Sequence, residues 1–429
     1  MPDTPKFIDL FAGCGGLSLG LLQAGWKGVF AIERSPDAFS TLSHNLIESG
    51  RFEYEWPAWL PRQAYDIESF LEAYSDKLAC LRGEVDLIAG GPPCQGFSPA
   101  GRRDPSDPRN RMAERYIEVV QIVKPKFLLI ENVRGFNSAF GKGDDVCAGV
   151  PYSEVVKERL ESLGYRVRYD IVRSADFGVP QLRPRFILIA VRNDIGVVEN
   201  PIKLLHESRK DFLKSKGLPV SRPITVRQAI CDLEVSGKEL IPSTDSSTKG
   251  FSQINYGAGS VKTSTFTRLM RKGCGVGFSP NCLRLPRHSL EVRARFAAIL
   301  RECRKGISLS KADRERFGLK KHSITPLDPE RPSATLTTLP DDVLHYSEPR
   351  ILTVREMARI QSFPDWFAFL GPYTTGGKRR KITCPRYTQV GNAVPPMLSE
   401  VIGNILAGMA SVVSERHALH QQLAKLDSC

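Results

Sequence analysis

Cysteine is present but never paired in a way that would frame a fold. The ten cysteines stand at 14, 80, 94, 147, 231, 274, 282, 303, 384 and 429, and no two form a C-x-x-C. That scatter excludes a disulfide scaffold and suits reduced thiols. Cys274, Cys282 and His288 lie near one another, but their spacing fits no standard zinc site, so no metal is expected. No uninterrupted apolar run reaches the roughly 18 residues needed to cross a bilayer. The start, Met1 to Lys6, lacks a signal-peptide core, because a strand-like run opens at Phe7. A cytoplasmic protein without a membrane partner is expected. Repeats and low-complexity tracts are missing as well. Acidic residues are in deficit, with 47 Asp and Glu against 60 Lys and Arg. The deficit is local. Residues 201–330 carry 25 Lys and Arg and 12 Asp and Glu, so the whole net charge of +13 sits there and the remainder balances. An excess confined to one segment suits a polyanion-binding module better than a solvated face.

The 429 residues allow roughly two or three domains. Their first half alternates strand and helix. Lys6 to Phe11 reads as a buried strand, Ala12 to Gly16 as a glycine-rich turn, and Leu17 to Ala24 as a helix closed by Gly25. Strands follow at Val29–Ile32, Val85–Ala89, Phe127–Ile130, Tyr165–Val172 and Phe186–Val191. Helices are expected over Arg111–Val123 and Tyr152–Leu163. This alternation predicts an α/β fold, a doubly wound parallel sheet with helices on both faces. From about Asp194 to Arg350 the pattern becomes irregular, apart from a helix over Ser289–Leu300. Thr353 to Ile360 reads as a helix with Thr353 at the N-cap and Glu356 at the capping-box position. A last helix opens at Met397.

In such sheets ligands bind beyond the carboxyl ends of the strands. Four candidate features fall at those ends: the 13–16 turn, Glu33, Cys94 and Glu131. The turn lets backbone approach a ligand closely, and Glu33 at the end of the next strand can accept two ribose hydroxyls. No basic residue lies in the turn, which leans away from a pyrophosphate and toward a nucleoside such as S-adenosylmethionine. Cys94 sits in a loop stiffened by Gly90, Gly91, Pro92 and Pro93, a good mount for a nucleophile. A thiolate attacks an electron-poor carbon more readily when a carboxyl group such as that of Glu131 assists the acceptor. In Gln181-Leu182-Arg183-Pro184-Arg185, alternation would turn both guanidiniums to one side.

Together these motifs resemble the DNA cytosine-5 methyltransferase family, in the family's own order. Asp9-Leu10-Phe11-Ala12-Gly13-Cys14-Gly15-Gly16 resembles its cofactor loop, Pro92-Pro93-Cys94-Gln95 its nucleophile loop, and Glu131-Asn132-Val133 its base-binding acid. Gln181 to Arg185 resembles its paired-arginine motif. Arg331 to Thr338 and Arg386 to Pro396 resemble its last two motifs. The likeness covers about 1–195 and 331–410.

The resemblance implies a Rossmann-like sheet dependent on S-adenosylmethionine, with a smaller, irregular target-recognition domain. The implied domains are 1–195 completed by 385–412 (catalytic), 196–384 (target recognition) and a 413–429 tail. Cofactor contacts are implied at Phe11, Ala12, Gly13, Gly15, Gly16, Leu17, Glu33, Asp66, Ile67, Pro92, Asn392 and Val394. Cys94, Glu131, Arg183 and Arg185 would be catalytic, with Arg183 favouring the thiolate and Arg185 holding the base. Gln95, Ser98, Gln181 and Thr338 would meet DNA. Duplex DNA is the expected substrate, a restriction endonuclease the expected functional counterpart, and a monomer the expected state. Three other readings stay open: a tRNA methyltransferase of the same family, a catalytically idle DNA-binding relative, and a small-molecule methyltransferase. The Cys-Phe-Thr string of the tRNA branch is missing, no key motif is broken, and a small molecule needs no +13 segment.

Overall fold

The computed structural model describes residues 4–93, 111–138, 150–196, 199–245, 248–256, 263–319, 323–374 and 383–426. Six strands form the central sheet: β1 Lys6–Leu10, β2 Lys27–Ile32, β3 Leu87–Gly90, β4 Phe127–Val133, β5 Tyr165–Arg173 and β6 Pro184–Arg192. Their order is β2-β1-β3-β4-β6-β5. The first four run parallel, so the expected doubly wound sheet is present, and it departs from parallel only at β6, which is antiparallel to both β4 and β5. The reason is the connection. Parallel neighbours need a crossover element, and between β5 and β6 there is only the Ser174–Phe177 helical turn.

Side chains alternate across the sheet and build two cores. Phe7, Leu87, Leu129, Ile187 and Ile189 face one side, and Ile8, Ile88, Leu128, Phe186 and Leu188 the other. Each such residue, fully buried, contributes roughly 1.5–3 kcal/mol. The first side is covered by α1 Gly16–Gln23 and the C-terminal helix Pro396–Leu426, and the second by α3 Ile67–Ala79, α4 Arg111–Val123 and α5 Tyr152–Ser162. Between them in sequence, α2 Pro36–Leu42 follows β2. The C-terminal helix is long and apolar enough over Pro396–Glu415 to cross a membrane, with mean hydropathy 1.5, but most of that stretch is buried. It packs on α1, and Trp26 Nε1 donates to Gly403 O at 2.9 Å. It is a core helix.

The segment from Asp194 onward holds more order than its sequence pattern suggests. A 15-residue helix, α6 Pro201–Ser215, is capped by Asn200, whose Oδ1 accepts from Ile202 N at 3.0 Å. Shorter helices span Val226–Ile230 and Thr265–Met270, and Leu290–Glu302 forms where a helix is expected. The Val354–Ile360 helix carries the expected capping box, with Glu356 N donating to Thr353 Oγ1 at 3.1 Å and Thr353 N to Glu356 Oε2 at 2.7 Å. Residues of 352–369 and of 202–233 join the core beneath α1, whereas Phe296, Ile299, Leu309, Ile324, Leu344 and Ile351 form a small core of their own.

Candidate active site

The glycine-rich turn opens directly from β1 into α1. Ala12 N donates to Ile32 O at 3.0 Å, which ties the turn to the end of β2. Both carboxylate oxygens of Glu33 are held there: Oε1 accepts from Ser35 N at 2.7 Å and Oε2 from Gly13 N at 3.0 Å. Burial raises the Glu33 carboxyl above its usual range, and the N–H groups of Ser35 and Gly13 pull it partly back. Tyr65 N donates to Glu33 O at 2.9 Å, so the exposed Asp66 and buried Ile67 at the head of α3 stand beside the same strand end. Asp66 caps α3 through Glu68 N at 2.9 Å. Phe11 adopts φ +61 and packs half-buried on the second core, while Ala12 and Leu17 are buried. Gly15 lies against Leu42 and Leu46, and a Cβ on Gly16 would overlap Val394 O, so the turn and the 386–396 motif need glycine to touch. Space beside Gly13 is open. A neutral turn, a two-pronged carboxylate and an exposed aspartate fit a nucleoside sulfonium cofactor and offer nothing to bind phosphate.

Glu131, Asn132 and the loop after β3 meet one strand away. Asn132 Nδ2 donates to Pro92 O at 3.1 Å, and a Cβ on Gly91 would lie 3.3 Å from Glu131 Oε2. The stem of the loop that leads to Cys94, with Pro92 buried, is therefore fastened over Glu131. Arg185 Nε stands 2.7 Å from Glu131 Oε1, and each residue is 8 % exposed. The β4–β6 register pairs Glu131 with Ile187 and Val133 with Arg185, which brings the two side chains together at the rim. A carboxylate held this way can exchange a proton with a heterocycle while the guanidinium holds its charge in place. Cys94, Gln95 and Ser98 lie outside the described residues.

The remaining motif residues join several segments to one another, with Gln181 and Arg183 buried among them. Gln181, expected to meet DNA, is fully buried in this structure. Its Oε1 accepts from Leu336 N at 2.8 Å and its Nε2 donates to Gln361 Oε1 at 2.8 Å. Arg183, at φ +23, departs from the alternation that would set it beside Arg185. It is 2 % exposed, and its guanidinium donates to Leu336 O, Gly391 O, Asn392 O and Ala393 O. Burial and Arg185 push its pKa far down, with Glu131 opposing. Asn392 is exposed at the end of the Arg386–Asn392 helix, and Val394 is half-buried beside Gly16. Thr338 is half-buried, with its backbone against Gly391.

The sequence reading missed four buried arginines. Arg359 binds Asp365 at 2.6 Å and Asp232 at 2.8 Å, all three fully buried. Arg350 pairs with Glu356 at 2.8 Å, Arg355 donates to Asn281 O at 3.0 Å, and Arg386 joins Asp245 at 2.9 Å. Arg355 and Arg359, spaced i,i+4 in a capped helix whose other residues, the capping Glu356 aside, are apolar, were the available signal. In the basic segment Arg284 stacks on Tyr373 at 3.7 Å and, with Arg287, on Phe251. The Thr265–Met270 helix is tied to Val226–Ile230 through Thr267 Oγ1 and Gln228 O at 3.0 Å. Among the described residues no group of three His, Cys, Asp or Glu could hold a metal ion, and the described cysteines form no disulfide. Cys14 is buried under the turn, its thiol pushed up by burial.

Known proteins are similar to this chain in both sequence and fold. The chain is 30% identical over 411 residues to the type II methyltransferase M.DdeI of Desulfomicrobium norvegicum, covering 92% of this chain and 87% of the relative. It is 31% identical over 424 residues to the type II methyltransferase M.XorII of Xanthomonas oryzae pv. oryzae, covering 93% and 84%. In fold it is similar to a prophage-encoded E. coli protein named as a candidate DNA modification methyltransferase, with TM-score 0.60, 24% identity, and 94% and 98% of the two chains covered. The S. pombe Dnmt2 methyltransferase is similar at TM-score 0.50 and 15% identity, covering 96% and 99%. The model of the C-5 cytosine-specific DNA methylases matches residues 5–407, and with the Glu131–Arg185 rim and the Glu33 turn in place the chain belongs to that family of DNA (cytosine-5) methyltransferases.

Proposed function

We propose that this enzyme methylates C5 of one cytosine within a specific duplex sequence, using Cys94 as a transient nucleophile and S-adenosylmethionine as donor. The observation that carries the reading is the Glu131–Arg185 pair, 2.7 Å apart under the stem of the Cys94 loop. Cys94 sulfur bonds to C6 of the cytosine, and the electron pair moves to C5. Glu131 holds N3 and the exocyclic amine, so the charge developing on the ring has a proton partner, and Arg185 fixes that carboxylate. Glu33 would hold the ribose of S-adenosylmethionine and Asp66 and Ile67 its adenine, and the bound group would supply an electrophilic methyl and leave as S-adenosylhomocysteine. C5 takes the methyl, its proton departs to a base, and the sulfur–C6 bond breaks to restore the ring. The target base must leave the stack to reach Glu131, so flipping is part of the reading. The excess positive charge of 201–330 binds phosphates and makes affinity salt-dependent.

The type II names of the relatives support a role as the modification partner of a restriction endonuclease, and a monomer working in the cytoplasm is the state this reading assigns to the chain. Residues 196–384 are assigned to target recognition, and 1–195 with 385–412 to catalysis. The test is a duplex carrying 5-fluorocytosine at the target, found by bisulfite sequencing of host DNA after expression. With donor present, wild-type enzyme should become covalently trapped, because fluorine cannot leave as the C5 proton does. Cys94→Ser should not be trapped. An untrapped wild type that still methylates the normal duplex refutes the adduct, and methyl transfer to tRNA but not DNA refutes the substrate.

A further inference from the structure

Two arginines two residues apart end up with different surroundings. Arg185 stands at the rim on Glu131, whereas Arg183 turns inward and donates only to backbone carbonyls among the described residues. Three of those carbonyls, Gly391, Asn392 and Ala393, lie at the C-terminal end of the Arg386–Asn392 helix, at 3.0, 3.4 and 2.9 Å. A cation there satisfies orphan carbonyls and meets the negative end of the helix dipole. The fourth, Leu336 O at 3.2 Å, belongs to the neighbouring motif. Gln361 reinforces the same turn, donating from Nε2 to Val390 O at 2.8 Å, while its Oε1 accepts from Gln181. The next residue along, Val394, places its carbonyl against Gly16 of the cofactor turn. Arg183 Nε alone lacks an acceptor among the described residues.

We propose that Arg183 is a positioning residue for the cofactor: by clamping the carbonyls of 391–393 it sets Val394 and Asn392 against the Gly13–Gly16 turn and so shapes the donor pocket. The thiolate is not its concern. This assignment rests on the reading of the turn as an S-adenosylmethionine site. It divides the labour of the Gln181–Arg185 motif, with Arg185 serving the base and Arg183 serving the donor. Only a forked, planar donor set reaches carbonyls on two segments at once, so lysine is a poor replacement.

The experiment measures binding of S-adenosylhomocysteine to the full chain by calorimetry, without DNA. Arg183→Lys should weaken it about tenfold or more, and Arg185→Lys should leave it within twofold. In steady state, Arg183→Lys should raise KM for the donor more than it lowers kcat, with KM for duplex DNA unchanged. Failure of the wild type to bind S-adenosylhomocysteine overturns the cofactor reading itself. Wild-type binding with unaltered affinity in Arg183→Lys overturns the proposal alone, as does a fall in kcat with donor KM intact. Should Arg183→Lys not fold, amide exchange of the wild type decides. Saturating S-adenosylhomocysteine should slow exchange at 390–394 together with the 13–17 turn, and protection of the turn alone refutes the clamp.

Discussion

Replacing Glu131 with glutamine tests the centre of the mechanism with little change of shape. Glu131 is 8 % exposed, and its Oε1 sits 2.7 Å from Arg185 Nε. Glutamine keeps one acceptor oxygen for that guanidinium and fills the same volume beside Gly91. It cannot carry a proton to or from the ring. A positioned acid–base group is worth about 10²–10⁴-fold, or about 2.7–5.5 kcal/mol of barrier. Stability should fall too, because Arg185 loses its charged partner while remaining buried. Breaking a buried pair costs about 3–5 kcal/mol, and Arg185 keeps a bond from Nη1 to Pro184 O at 2.8 Å, so the loss should lie at or below the lower bound. The assay is transfer of a labelled methyl group to a duplex containing the target, with thermal melting as control. Glu131→Gln should lower kcat by two to four decades on the scale just given, and leave S-adenosylhomocysteine affinity unchanged, since Glu33 lies across two strands. A folded variant whose kcat stays within about fivefold of wild type refutes the role of the carboxylate, because acid–base help of that size is below the range for a positioned group.

Gly16→Ala should cost about 1–3 kcal/mol of stability and abolish tight cofactor binding, because the added Cβ overlaps Val394 O, and calorimetry reads this out. Arg359→Met strands the Asp232 and Asp365 carboxylates in the core and should destabilise by about 3–5 kcal/mol, visible as a lowered denaturation midpoint. His345 is fully buried, and burial drops its pKa from 6.5 to about 4. The unfolded chain then binds the proton first, so stability is full above 6.5 and falls as pH drops toward 4, by about 2 kcal/mol at pH 5. His345→Gln should flatten the melting-temperature profile over that window, and an unchanged slope refutes the assignment. Asp9 has the opposite sign, because burial raises its pKa from 3.8 to about 7 despite the Ser18 hydroxyl at 2.5 Å. Stability is lost as pH rises through 7, and Asp9→Asn should raise the melting temperature at pH 8 more than at pH 5.

Much of the rim was legible because its geometry follows from strand ends. Glu33 and Glu131 each close an apolar run, and a parallel sheet delivers such residues to one edge. Glu131 and Arg185, 54 positions apart, meet through the β4–β6 register, which no spacing rule displays. Alternation failed at Arg183 because positive φ reverses its direction. At Gln181 a polar residue in a motif reads as a contact surface, yet in this structure its amide accepts from Leu336 N and donates to Gln361 Oε1, which in turn reaches Val390 O through its own amide. The antiparallel β6 was recoverable from the lack of a helix between 173 and 184. The Asp232–Arg359–Asp365 cluster was not, since its members are 127 and 6 residues apart and each alone reads as a surface charge. Polarity in a motif therefore marks where segments join as often as where ligands bind. Burial of the hydrogen-bonding atoms tells the two apart: Glu33 stays partly exposed beside Gly13, while Gln181 and Arg183 are buried and, among the described residues, bonded only to the chain.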